Sequence, residues 1–154
     1  MASNKSRLIL SIILLLGAFV VAVATGKPAC THVYVDYGSL KNQVIQSCVS
    51  TVETENALSV VLAAGFDIAG TDKYGLGVVC RVNGLPDKSH ESCAKMPSEK
   101  AYWALLVKRR AIIPNPFDVN SKWNWAPVGI MDLKVKPGDS VGLVFANNGK
   151  VKFP

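Results

Sequence analysis

Four cysteines, two histidines and a few carboxylates are the side chains here that could do chemistry, and their spacing decides which chemistry. Cys30, Cys48, Cys80 and Cys93 include no C-x-x-C pair, and His32 and His90 form no H-x-x-x-H pair, so no metal site is expected. An even number of cysteines in an exported chain reads instead as two disulfides. Of the three possible pairings, Cys30 with Cys48 and Cys80 with Cys93 are preferred, because each closes a local loop that can sit beside a strand. A hydrolase needs a nucleophile with a base and an orienting group. His32 lies beside Val33 and His90 within Lys88-Ser89-His90-Glu91, with no G-x-S-x-G elbow and no lone reactive cysteine. Asp36, Asp67, Asp72 and Asp132 are scattered singly and give no sign of a paired acid and base. There is no phosphate loop or dinucleotide fingerprint. The expectation is a protein that does not catalyse a reaction.

Aromatic residues stand out instead. Tyr102, Trp103, Trp123 and Trp125 are the candidate ligand-binding residues, with Tyr37, Tyr74 and Phe145 as further rings. Flat rings with a polar tip suit a ligand platform. Tyr102 and Trp103 are neighbours on a strand, so one of them can simply fill the core. In Trp123-Asn124-Trp125, alternation puts both indoles on one face, which is either core or a binding edge.

The elements that must position these residues follow from periodicity. Thr31-His32-Val33-Tyr34-Val35-Asp36-Tyr37-Gly38 alternates as a half-buried strand ending at glycine, and Gln43 to Val49 is a weaker second strand completing a hairpin. Thr54 or Thr51 can cap a helix with apolar residues Ala57, Leu58, Val61, Leu62 and Ala64, which Gly65 stops. Gly75 to Gly84 reads as a strand ending in an Asn-Gly turn, and Leu85 to Pro97 as a polar loop clipped by the second cysteine pair. Ala101 to Lys108 is an aromatic and aliphatic strand. A loop through Pro114-Asn115-Pro116 leads to the paired tryptophans, and a turn at Lys136-Pro137-Gly138-Asp139 precedes a last strand, Ser140 to Phe145. One hairpin, one main helix and later strands make an α+β domain with the helix on one face of a mixed sheet.

The amino end carries Lys5 and Arg7, then an apolar run from Leu8 to Val21, then the small-x-small pattern Ala22-Val23-Ala24. That is the layout of a signal peptide over residues 1–24 with cleavage after Ala24. The alternative is an uncleaved anchor, for which Leu8 to Ala24 is at the short edge of the ~17 to 25 residues that span a bilayer. Residues 25–31 are expected to be a short linker and 32–154 a single domain. Of 17 basic and 11 acidic residues, Lys5 and Arg7 leave with the signal, so the mature charge is 15 minus 11, or +4. Lys108-Arg109-Arg110 is the sole basic cluster, too little for a nucleic-acid surface. A secreted or cell-surface product follows, with membrane contact only through the signal segment if it is kept.

Taken together, these residues resemble the transcobalamin-like carboxy-terminal domain family, in the soluble-ligand-binding β-grasp group. The resemblance rests on Val33 to Gly38, the helix into Ala64-Gly65-Phe66, Tyr74 to Pro86, Ala101-Tyr102-Trp103, Val128-Gly129-Ile130 and Pro137-Gly138-Asp139. It is especially close to exported bacterial members, which carry cysteines at matching positions. The resemblance implies a β-grasp fold and half of a corrinoid (cobalamin) site, completed by a partner α/α barrel that this chain lacks, with no covalently bound cofactor. The chain departs from the bacterial pattern after Tyr102-Trp103, where Ala104, Leu105 and Leu106 replace a further aromatic. The alternative is an envelope or extracellular module that contacts protein or glycan and takes no small ligand.

Overall fold

The computed structural model describes residues 27–111 and 122–154. The expected signal peptide and the Pro114-Asn115-Pro116 loop lie outside the described residues. Strand β1 (Ala29–Asp36) sends Thr31, Val33 and Val35 to a fully buried face, continued by Tyr37, while His32, Tyr34 and Asp36 stay half-buried on the other. The strand starts inside the expected linker, so residues 29–31 belong to the sheet. Two contacts hold them there: the Cys30–Cys48 disulfide and a 2.7 Å hydrogen bond between the buried hydroxyls of Thr31 and Thr51.

Strand β2 (Val44–Thr51) completes the expected hairpin, antiparallel to β1 from Asp36 opposite Val44 to Ala29 opposite Thr51. The chain then runs through β3 (Glu55–Asn56) into helix α1 (Ala57–Ala63). Neither expected cap is used. Asn56 is the cap, its Oδ1 accepting from the Ser59 amide at 2.8 Å, because β3 pairs with β8 (Lys134–Val135) and keeps the chain extended that far. The helix's first free amides are also satisfied from this side, Ala57 N–H by the Leu133 carbonyl and Leu58 N–H by that of Ile130. Ala57, Val60 and Val61 form the buried stripe, whereas Leu62, expected on it, is 49% exposed. Gly65 stops the helix as expected. With φ at +88°, it lets Phe66 N–H bond the Val61 carbonyl and its own N–H bond that of Leu62, and Phe66 is buried against the helix end.

Strands β4 (Ile68–Thr71) and β5 (Gly75–Val82) form a separate antiparallel pair, and β5 ends in the expected turn at Asn83 and Gly84, with φ of 49° and 75°. Strands β6 (Trp103–Lys108), β7 (Asn124–Trp125) and β9 (Ser140–Phe145) complete a five-stranded sheet in the order β2-β1-β9-β6-β7. The central pair β1 and β9 is parallel, and the other neighbours are antiparallel. Val33, Val35, Val141, Leu143, Val107 and Trp103 pack with α1, Phe66, Val82, Ile130, Leu133 and Val135 to form the core. The domain is thus an α+β mixed sheet on one helix.

Both expected disulfides are present, Cys30–Cys48 and Cys80–Cys93, with Cα separations of 5.5 and 5.8 Å. They point to a non-reducing, extracellular environment. Among the described residues no helix is long and apolar enough to cross a membrane.

Candidate functional site

The sheet has a second face, turned away from the helix, and Tyr34, Trp123, Trp125 and Phe153 belong to it. Register aligns Gln46, Tyr34, Gly142, Leu106 and Trp125 in one row across all five strands. Gly142 leaves a gap in that row, which Trp123 fills. A Cβ on Gly142 would meet the Trp123 ring at 3.0 Å and the Leu106 Cβ at 3.3 Å. Trp123 also tilts against Tyr34, with ring centroids 6.1 Å apart at 52°. Trp125, opposite Leu106, meets Phe153 edge-on at 6.1 Å and remains 52% exposed. Both indoles therefore lie on one face, and it is the face without the helix.

The next row along pairs Val44, Asp36, Val144 and Ala104. Its first three residues floor an open cavity of about 550 Å³, walled by Ser39 and Asn42 on one side and by Asn147, Asn148, Lys150 and Lys152 on the other. The volume falls in the ~300–1,000 Å³ range of small-molecule sites. Asp36 uses Oδ1 to hold the Gly38 amide at 2.8 Å, which fixes the turn on the cavity wall. Burial, and secondarily the charge of Asp36, pushes the Tyr34 phenol above its ordinary pKa.

Trp103 has a different role from the other indoles. It is 6% exposed, packs edge-on against Tyr37 at 5.5 Å and Phe145 at 5.3 Å, and donates from Nε1 to the Leu85 carbonyl at 3.0 Å. An indole with its ring packed and its N–H bonded inside the core has nothing left to offer a ligand. Tyr102 is half-buried just before β6, and its carbonyl accepts from Ala146 N–H at 2.8 Å. The structure therefore brings Trp123 and Trp125 together on one face and assigns Trp103 to the core. Tyr34 and Phe153 complete the rear aromatic set. Sequence reading passed over both: Tyr34 carried a signal in its alternation with Val33 and Val35, and Phe153 carried none.

The Pro137-Gly138-Asp139 turn is a latch. Asp139 is 2% exposed; its carboxylate accepts from the Arg110 amide at 2.8 Å, the Lys136 amide at 3.0 Å and Arg109 Nη1 at 2.8 Å. Its carbonyl accepts from His32 N–H at 3.1 Å, joining the end of β6 to the start of β1.

Asp87, Ser89 and His90 also gather, on the exposed loop after β5. The Ser89 hydroxyl, first of all, and the His90 ring hold the Asp87 carboxyl well below the usual carboxylate range. Carboxylate and hydroxyl both approach the same nitrogen, His90 Nδ1, at 3.0 and 3.1 Å. A relay needs them on opposite nitrogens, so these contacts close a turn and do not activate the serine. Among the described residues no three potential metal ligands gather.

Compared with protein-family models, curated proteins and solved structures, the chain has no match.

Proposed function

We propose that this chain is an exported, non-catalytic ligand-binding module whose rear sheet face offers one side of a site for a large flat ligand. The observation that carries it is the set Tyr34, Trp123, Trp125 and Phe153 on the helix-free face, beside a cavity of about 550 Å³. A corrinoid such as cobalamin is the first ligand to test, since the resemblance to transcobalamin-like domains implies it. A hairpin, then a helix, then a last strand inserted parallel to the first is the order that a β-grasp arrangement calls for, and it supports that reading. Covering one face of a large ligand must offset the ordering costs of association, so a lone half-site binds weakly. An exported α/α barrel supplying the other face is the proposed partner.

The test is a titration of the mature chain with cobalamin, alone and with a candidate barrel, followed by tryptophan fluorescence and visible absorbance. Quenching that is lost in Trp125→Ala supports the proposal. An unchanged signal in both mixtures sinks it. The half-exposed Trp125 favours a second reading, an envelope or extracellular module contacting protein or glycan through that indole. Under it, Trp125→Ala abolishes retention on a glycan or protein array while cobalamin has no effect.

A further inference from the structure

The two disulfides sit in opposite environments. Cys80 and Cys93 are 1% and 3% exposed and lie within the body of the domain. Cys30 and Cys48 instead bridge β1 and β2 on the rear face, with Cys48 exposed and Cys30 half-buried. Strand β2 is the outermost strand of the sheet, and among the described residues it pairs only with β1. Cys48 is therefore an exposed residue of an edge strand. Access governs whether a thiolate can reach a disulfide, so the two bridges should not open at similar rates.

His32 adds chemistry to this asymmetry. It stands directly opposite Cys48 in the β1–β2 register, and its ring nitrogens Nε2 and Nδ1 lie 3.4 and 3.6 Å from Cys30 Sγ. Gln46 Nε2 is 3.3 Å from His32 Nδ1. With the sulfur almost equidistant from the two nitrogens, the imidazole lies against Cys30 with neither ring N–H directed at it. When both ring nitrogens carry protons, the positive charge of an imidazole this close to the sulfur favours a thiolate on Cys30. Cys30 is thus equipped as the leaving group and Cys48 as the point of attack.

We infer that the Cys30–Cys48 bridge is a site of thiol–disulfide exchange, opened by an exported thioredoxin-fold dithiol that attacks Cys48. The partner's first thiolate forms a bond to Cys48 Sγ, and the Cys30–Cys48 bond breaks. The electron pair leaves on Cys30 Sγ, beside the His32 ring. The partner's second thiol, as thiolate, then attacks its own sulfur in the mixed disulfide and releases Cys48. Two electrons pass to this chain, the partner ends as a disulfide, and its two thiol protons end on Cys30 and Cys48. The inference is independent of the ligand proposal, and the buried Cys80–Cys93 bridge stays closed throughout.

The experiment uses the oxidised mature chain and a thioredoxin whose resolving cysteine is replaced by alanine, which traps the mixed disulfide. Peptide mapping should place the trapped thiol on Cys48. With intact thioredoxin, differential alkylation should show Cys30–Cys48 opening at least tenfold faster than Cys80–Cys93. His32→Ala should slow that opening several-fold and leave the other bridge unaffected. Circular dichroism checks that His32→Ala keeps the fold. A mixed disulfide on Cys30, equal opening of the two bridges, or full-rate opening in His32→Ala would overturn the inference.

Discussion

The side-chain amide of Asn83 donates from Nδ2 to the phenol oxygen of Tyr37 at 2.8 Å, joining the turn after β5 to the end of β1. The other end of the same amide accepts from the Asp67 backbone at 2.8 Å. One side chain in a turn therefore ties the helix exit to the central sheet. Tyr37 is fully buried and packs against Trp103, which bonds the Leu85 carbonyl two residues after Asn83. The Asn83-Gly84 turn is part of the core's hydrogen bonding as well as a reversal of the chain.

Asn83→Ala removes both bonds and puts an ordinary side chain at a φ of 49°. A loss of about 2 to 4 kcal/mol of stability is expected. Asn83→Gly keeps the backbone freedom and should lose about half of that. Urea denaturation of the two variants separates the backbone contribution from the hydrogen bonds, and equal losses would show that the backbone contributes nothing.

Burial raises the Tyr37 phenol above its ordinary pKa, and the hydrogen bond from Asn83 lowers it by less. A raised folded pKa means the unfolded state gives up this proton first. The contribution is whole below the ordinary tyrosine range and is lost as pH rises through the folded pKa. Stability measured from pH 8 upward should therefore fall above about pH 10. Tyr37→Phe, though less stable at neutral pH, should flatten that fall, and an undiminished slope in the variant would refute the assignment.

Gly142→Ala drives a methyl group into the Trp123 ring and the Leu106 Cβ. Neither can yield freely, since Leu106 is fully buried and Trp123 is backed by Tyr34. The expected cost is about 1 to 3 kcal/mol, with a red shift of tryptophan emission as Trp123 is displaced. Wild-type emission from the variant would mean that Trp123 does not rest on Gly142.

Asp139→Ala leaves Arg109, the Arg110 amide and the Lys136 amide without their shared acceptor. Arg109 is a third exposed and can turn to water, so the loss should stay below that of a fully buried pair, at about 2 to 4 kcal/mol. Asp139→Asn, which keeps one acceptor oxygen, should lose less. Thermal melts of the two variants check the order.

Local patterns announced some of this architecture. Alternation in Val33, Val35 and Tyr37 marked the buried face of β1, Gly65 marked the helix stop, and Asn83-Gly84 marked the turn. The cysteine spacing marked both bridges. Long-range pairing hid the rest. The helix start moved to Asn56 because β3 pairs with a strand almost eighty residues away, and Thr51 was taken by Thr31. The division of the tryptophans was hidden for a similar reason. Trp103 enters the core because Tyr37, Leu85 and Phe145 converge on it, and Trp123 lies on the rear face because register places Gly142 beneath it.

The parallel union of β1 and β9 has a consequence for how the molecule comes into being. Val33 pairs with Val141, so the middle of the sheet is built from the first and last strands of the domain. A chain synthesised amino end first has its opening hairpin and helix long before the strand that must lie beside them. Until Ser140 to Phe145 emerges, β1 has one bare edge and the core lacks Val141 and Leu143. Contacts of such sequence separation close late and slowly. The sheet consequently closes only when its last strand is made, and until then the opening hairpin and helix wait beside an incomplete core.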